Sequence, residues 1–187
     1  MKLMNRLLVF FLITTCIADT LQAQEEFIAR QGEVRFFSYT SVEDIEASNI
    51  QTLSLFYPNT KKIGVQILMR AFTFEKSLMY EHFNESYIES DLYPNAIFEG
   101  DIIDFDQETK DKQTRIIKGN FTLRDVTMPL EIKATIEKKN QGYTISGELE
   151  VLVDDYNIKI PAILSPNIAK NIRISFNFQY EPNASQE

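Results

Sequence analysis

Few residues in this 187-residue chain have side chains suited to catalysis, and they do not assemble into a set. The one histidine, His82, could in principle move a proton near neutral pH. On a helical wheel it falls near Glu75, Ser86 and Glu89, at the edge of an apolar stripe. With no second histidine and no thiolate beside it, it reads as a helix-flank residue making a local hydrogen bond. Asp104, Asp106, Glu108 and Asp111 alternate in the way calcium-binding carboxylates do. Their segment lacks the central glycine of a calcium loop and carries Lys110, so a solvated hairpin loop is the expectation. Asp154 and Asp155 could share a proton as a carboxylate pair, but sequence neighbours at a strand end point apart. No Ser/His/Asp constellation, glycine-rich phosphate loop or metal motif is present. The expectation is a protein without catalytic residues, metal ligands or cofactor, and therefore not an enzyme.

The only cysteine, Cys16, lies in a segment expected to be removed. Lys2 and Arg6 form a basic start, Leu7 to Ile17 an apolar run, and Leu21-Gln22-Ala23 a cut site ending in a small residue. That is the layout of a signal peptide. The run is shorter than the roughly 20 apolar residues that cross a bilayer. Residues 1–23 are read as the signal peptide, and residues 24–187 as one mature domain, exported to the periplasm or beyond the cell, with no membrane-spanning segment after cleavage. Anchoring through a lipidated Cys16 is the alternative, against which bulky Thr15 stands where a small residue usually precedes such a cysteine. Without Lys2, Arg6 and Asp19 the mature chain keeps 17 basic and 26 acidic residues, a net charge of −9. An acidic surface argues against nucleic acid and against docking on anionic lipid.

The elements that could position a site are strands. Apolar residues recur with period 2 in most of the mature chain. Ile117, Gly119, Phe121 and Leu123 alternate with polar neighbours, as do Met128 to Ile136, Tyr143 to Val153 and Ile172 to Tyr180. In the front half Val34 and Phe36 are expected inward, then Leu53, Leu55 and Tyr57, then Ile63, Val65, Ile67 and Met69, then Ala96, Phe98, Gly100 and Ile102. These are eight main strands, with a possible short extra one at 27–30. Hairpin-sized links follow Tyr57, Leu123 and Lys139. Long strands wet on one face need closure or a second sheet. The expected fold is all-β, an eight-stranded antiparallel lipocalin-like barrel, with a two-sheet sandwich as the alternative.

One helix is expected at about residues 74–90, capped by Thr73 and ending before Pro94, with short helical turns at 41–44 and 165–170. Met79, Phe83 and Tyr87, at i, i+4 and i+8, with Tyr80 beside them, would lie against an open end of the barrel. The inward glycines Gly100, Gly119 and Gly147 either bend the strands to close the barrel or leave clearance for a guest. A guest would meet phenylalanines and should be apolar. The expected cavity lining is Phe36, Val65, Ile67, Met69, Phe98, Phe121, Leu130, Leu149, Ile174 and Phe176.

Several segments carry a resemblance. Residues 72–102, FTFEKSLMYEHFNESYIESDLYPNAIFEGDI, pass from a helix through a Tyr-Pro turn to a strand ending in Phe-Glu-Gly. GNFTLRDVTMPLEI (Gly119–Ile132) is a glycine-led strand, a tight turn containing Val-Thr and a returning strand. With DYNIKIP (Asp155–Pro161) and the closing strand Ile172–Tyr180, these resemble the YceI-like family of exported bacterial lipid-binding barrels. The opening GEVRFFSYTSVEDIEA lacks the histidine of many members, and Arg124-Asp125 stands where the hairpin often has glycine. The resemblance implies a lipocalin-like barrel enclosing a polyisoprenoid or other long amphiphile. The resulting expectation is non-enzymatic binding or transport of such a lipid. The competing readings are an envelope interaction or stress module with a filled barrel that binds protein through its loops, and an enzyme acting on a hydrophobic substrate.

Overall fold

The computed structural model describes residues 25–39, 44–160 and 170–183. The signal peptide expected at 1–23 and most of the two helical turns expected at 41–44 and 165–170 lie outside the described residues. Nine strands are present: β1 (Phe27–Ser38), β2 (Ile45–Tyr57), β3 (Lys62–Leu68), β4 (Thr73–Phe74), β5 (Asn95–Ile102), β6 (Gln113–Leu123), β7 (Val126–Lys139), β8 (Gly142–Leu152) and β9 (Asn171–Pro182). All pairings are antiparallel, in the order β1-β9-β8-β7-β6-β5-β3-β2, and β2 pairs back onto β1. Eight strands therefore close into a barrel. The two-residue β4 is added to β2 at Ala47 and Ser48, beyond the end of β3.

Tight turns make the up-and-down path possible. Arg124 and Asp125, both with positive φ, join β6 to β7, and Leu123 pairs with Val126. Asn140, also with positive φ, and Gln141 join β7 to β8. Such two-residue links match the right-handed twist of the flanking strands.

The segment expected to be a short strand at 27–30 is instead continuous with the next run. β1 is one strand whose register shifts around Gly32, so the bulge bends it without ending it. The face expected for β2 is reversed. Thr52, Ser54 and Phe56 are buried, whereas Leu53 is 36% exposed and Leu55 and Tyr57 are only half-buried. The hydroxyls turn inward because partners await them. Ser54 Oγ lies 2.6 Å from Tyr180 Oη and donates to the Gly64 carbonyl at 2.9 Å. Asn49 donates to the Leu68 carbonyl and accepts from the Gln51 amide.

The interior has two unlike ends. At one end Phe27, Phe56, Phe105, Tyr143 and Tyr180 meet mostly edge to face, with Phe56 at 5.2 Å from Tyr143 and 5.4 Å from Phe105. Phe105 comes from the β5–β6 loop and is buried like the other four, so this end is filled. The same loop holds Asp104, Asp106, Glu108 and Asp111. Gln113 fastens it by bonding the Asp106 backbone in both directions. The other end is crossed by α1 (Ser77–His82), a following π turn through Tyr87, and the segment 153–160 after β8. The helix is shorter than the expected 74–90. Thr73 joins β4, bonding Ser48 through its hydroxyl, and so does not cap a helix.

Candidate functional site

A cavity of about 400 Å³ occupies the end beneath α1. Inward positions of the strands form most of its wall: Val34, Phe36 and Ser38 from β1, Ile67 from β3, Ala96 from β5, Phe121 and Leu123 from β6, Val151 from β8, and Ile172 and Ile174 from β9. Met69 and Phe72 follow β3 and extend the same wall.

Two non-strand pieces complete it. One is the helical piece, which contributes Leu78, Met79, His82, Phe83, Tyr87 and Ile88. The Met79/Phe83/Tyr87 spacing carries these side chains to the cavity even though the last turn widens. Ile88 N–H reaches the Phe83 carbonyl at 2.9 Å, five residues back. Buried Asn84 steadies that turn. Its amide donates to the Tyr80 carbonyl, and its oxygen accepts from Ser90 Oγ at 2.7 Å. Phe83 stacks on Phe36 with centroids 5.5 Å apart, and Phe74 lies 5.1 Å from Phe83, so the helical piece is docked by aromatic contact.

The second piece arises where β7 and β8 part. β7 pairs with β6 from Val126 to Ile136, but with β8 only from Lys133 to Lys139. Above that point Val153, Tyr156, Ile158 and Ile160 line the cavity, and no β7 residue does. Tyr156 is buried with its ring 5.6 Å from that of Phe121. The short helical turn of residues 153–156 thus supplies the wall that a continued β7–β8 pairing would have made.

Arg124 clasps the two pieces together. Its side chain, only 14% exposed, pairs with Glu89 at the end of the helical piece. Its Nη1 donates to the Asn157 carbonyl at 2.6 Å, and its guanidinium lies over the Tyr93 ring. Glu89, Arg124 and Asn157 all have left-handed backbone, with φ of 55°, 50° and 55°. Non-glycine residues adopt that conformation at a cost, and for Arg124 it belongs to the tight β6–β7 turn.

The electrostatic character is uniform. Among the described lining residues there is no lysine, arginine, aspartate or glutamate. Burial, then the Asp155 carboxylate, push the Tyr156 phenol up to about 12. No group of histidine, cysteine and acidic side chains able to hold a metal exists among the described residues.

A family model described as the YceI-like domain matches residues 26–180. The chain belongs to the YceI-like family. The YceI-like barrel is similar to a solved polyisoprenoid-binding domain from Saccharophagus degradans, implicated in plant cell wall breakdown. The TM-score is 0.73 and the identity 10%, over 86% of this chain and 99% of that one. It is similar to BcnA of Burkholderia cenocepacia, with a TM-score of 0.68 and 14% identity, covering 80% of this chain and 96% of that one. A YceI protein of Campylobacter jejuni gives 0.59 and 14%, covering 79% and 90%. No curated protein matches the chain. At these identities the likeness is one of fold.

Within the YceI-like barrel the ten residues expected to line a cavity divide evenly. Phe36, Ile67, Met69, Phe121 and Ile174 are on the wall of the 400 Å³ space. Val65 and Phe98 are buried nearer mid-barrel, outside that wall, and Leu130, Leu149 and Phe176 are half-buried inward positions that also do not line it. The glycines do not give the clearance considered for them. Gly100 pairs with Gly119, and the Phe98 ring lies across both, so that a Cβ at Gly119 would sit 2.7 Å from the ring and 2.2 Å from the Glu99 carbonyl oxygen. At Gly147 the Phe176 ring holds the corresponding place. Sequence reasoning missed Ser38, Tyr156 and the 153–160 wall. The DYNIKIP segment is legible as part of a family pattern, but nothing in its spacing places Tyr156, Ile158 and Ile160 at the barrel mouth.

Proposed function

We propose that this YceI-like protein binds and carries a long apolar or amphiphilic lipid of the polyisoprenoid kind, with its chain in the cavity beneath α1, and does no covalent chemistry. The observation that carries the reading is the cavity itself: apolar wall, no charged lining residue among those described, and helical and loop pieces over its end. Its volume falls in the roughly 300–1,000 Å³ range of small-ligand sites. Burial supplies the affinity, at about 0.8 kcal/mol for each methylene withdrawn from water. The structural relative from Saccharophagus degradans is described as polyisoprenoid-binding, which supports the same ligand class. Phe36, Ile67, Met69, Phe121 and Ile174 are proposed as contacts in this cavity. Val65, Phe98, Leu130, Leu149 and Phe176 are proposed to meet only a chain long enough to pass the mid-barrel.

The signal-like start supports export of a mature chain beginning near Gln24. Two measurements test these proposals. Organic extraction of protein purified from its own envelope, followed by mass spectrometry, is expected to yield a long-chain isoprenoid or similar amphiphile. No lipid from any preparation, together with protein partners captured through the loops, would favour the interaction module. Intact mass of the exported protein is expected to match a start near Gln24, and an acylated Cys16 at the N-terminus would overturn that.

A further inference from the structure

Buried side-chain hydroxyls and amides in this barrel are almost all paired. Ser54, Asn49, Asn84, Ser90 and Gln113 each have hydrogen bonds. Among the described residues three buried side-chain polar atoms have no partner: Ser38 Oγ, Tyr156 Oη and Arg124 Nε, the last on a guanidinium whose two other nitrogens are bonded to Glu89 and Asn157. The Ser38 and Tyr156 side chains, the two hydroxyls of this set, line the cavity. Ser38 is the last residue of β1, and Tyr156 follows β8. Those strands flank β9, so the two hydroxyls sit on one side of the same end of the barrel. A buried hydroxyl without a partner is destabilising, and folded proteins leave few. That both fall on the wall of the one described cavity points to a missing partner inside it.

We infer that the ligand bears a neutral oxygen function, a hydroxyl or a carbonyl, and that Ser38 and Tyr156 are its hydrogen-bond partners. This rests on the lipid-binding reading above and narrows it. An ionised head would lose its water here with no cationic side chain to replace it, since the described lining offers only His82, itself exposed. The phenol's raised pKa reports the same aversion to negative charge. The class is thus an isoprenoid-like alcohol or ketone in preference to a fatty acid or a diphosphate.

The test uses the exported protein, stripped of lipid on a hydrophobic resin, and three probes with one chain: geranylgeraniol, its diphosphate, and the corresponding hydrocarbon. An apolar cavity without partners would favour the hydrocarbon over the alcohol, because the hydroxyl would be buried unpaired. The expectation is that wild type binds the alcohol at least as tightly as the hydrocarbon, and more tightly than the diphosphate. Tyr156→Phe and Ser38→Ala are each expected to weaken alcohol binding by about 5- to 10-fold, leaving the hydrocarbon unchanged. Tyr156→Phe keeps the ring against Phe121, so its melting temperature should hold or rise, which shows that any lost binding is not lost folding. Preference for the diphosphate, weaker binding of the alcohol than of the hydrocarbon by wild type, or variants that leave the alcohol-to-hydrocarbon ratio unmoved would each overturn the inference while the lipid-binding reading stood. Failure of folded wild type to bind any of the three would remove both.

Discussion

Polar groups inside the barrel wall are where single residues decide most. The Tyr180 hydroxyl is fully buried against Ser54, and burial raises its pKa above the ordinary value, an effect the Ser54 bond offsets only in part. Tyr156 is likewise raised, by burial and then Asp155, to about 12. A phenol whose folded pKa lies above the unfolded value near 10 contributes stability that is full below that pH and is lost above it. The protein is therefore expected to lose stability as pH rises from about 10 towards 12, tracked by urea midpoints at each pH and by delayed phenolate absorbance. Tyr180→Phe should flatten that loss, and an unchanged slope would show that Tyr180 ionises as freely folded as unfolded. Gly119 gives a second expectation at this scale. Its Cβ would lie 2.2 Å from the Glu99 carbonyl oxygen, so Gly119→Ala must push β5 and β6 apart. A loss of about 1–3 kcal/mol is expected from the denaturant midpoint. A neutral result would mean the strand pair yields without strain.

Elements decide how the site is walled. β2 shows why alternation alone misleads: it assigns Leu53, Leu55 and Tyr57 to the inner face, and the structure buries their neighbours Thr52, Ser54 and Phe56 instead. Cross-strand partners choose between them. Register sets Ser54 against Val65 and Phe56 against Ile63, and the buried hydroxyls find Tyr180, Gly64 and Asn49. The wall beside β7 is an element of another sort, a segment without strand pairing held by one arginine. Arg124→Met keeps much of the stem but removes the bonds to Glu89 and Asn157. A destabilisation of about 1–3 kcal/mol is expected, since Glu89 keeps partial access to water. Amide exchange in residues 83–90 and 153–160 should quicken more than in β6. Uniform acceleration through all strands would instead make Arg124 a global fold determinant and not a clasp between the two cavity walls.

At the scale of the whole molecule the two ends do different work. The filled end is a packed aromatic core, and Phe56→Ala there should cost about 3–5 kcal/mol. The cavity end already lacks contacts, so Ile174→Ala, at a half-buried lining position, should cost clearly less, with the larger effect on lipid affinity. Thermal or chemical denaturation of the two variants compares them directly, and equal losses would mean that the cavity end is as tightly packed as the plug.

Much of this architecture was legible in the chain. Period-2 runs from Gly119 to Tyr180 mark one wet and one dry face, and eight such runs with hairpin-sized links need closure or a second sheet to cover the dry one. The Met79/Phe83/Tyr87 spacing marked a helical piece against an open end. These features are local, because strand and helix periodicities are properties of consecutive residues. What only the tertiary structure decided depends on pairs far apart in sequence. Parity in β2 was set by Tyr180, 126 residues away. The glycine clearance was taken by Phe98 and Phe176. The divergence of β7 from β8 let Tyr156 enter the barrel mouth, leaving its hydroxyl and that of Ser38 unpaired on one cavity wall. Alternation shows which residues can face inward, but which of them meet a neighbour and which meet empty space is settled only when the barrel closes.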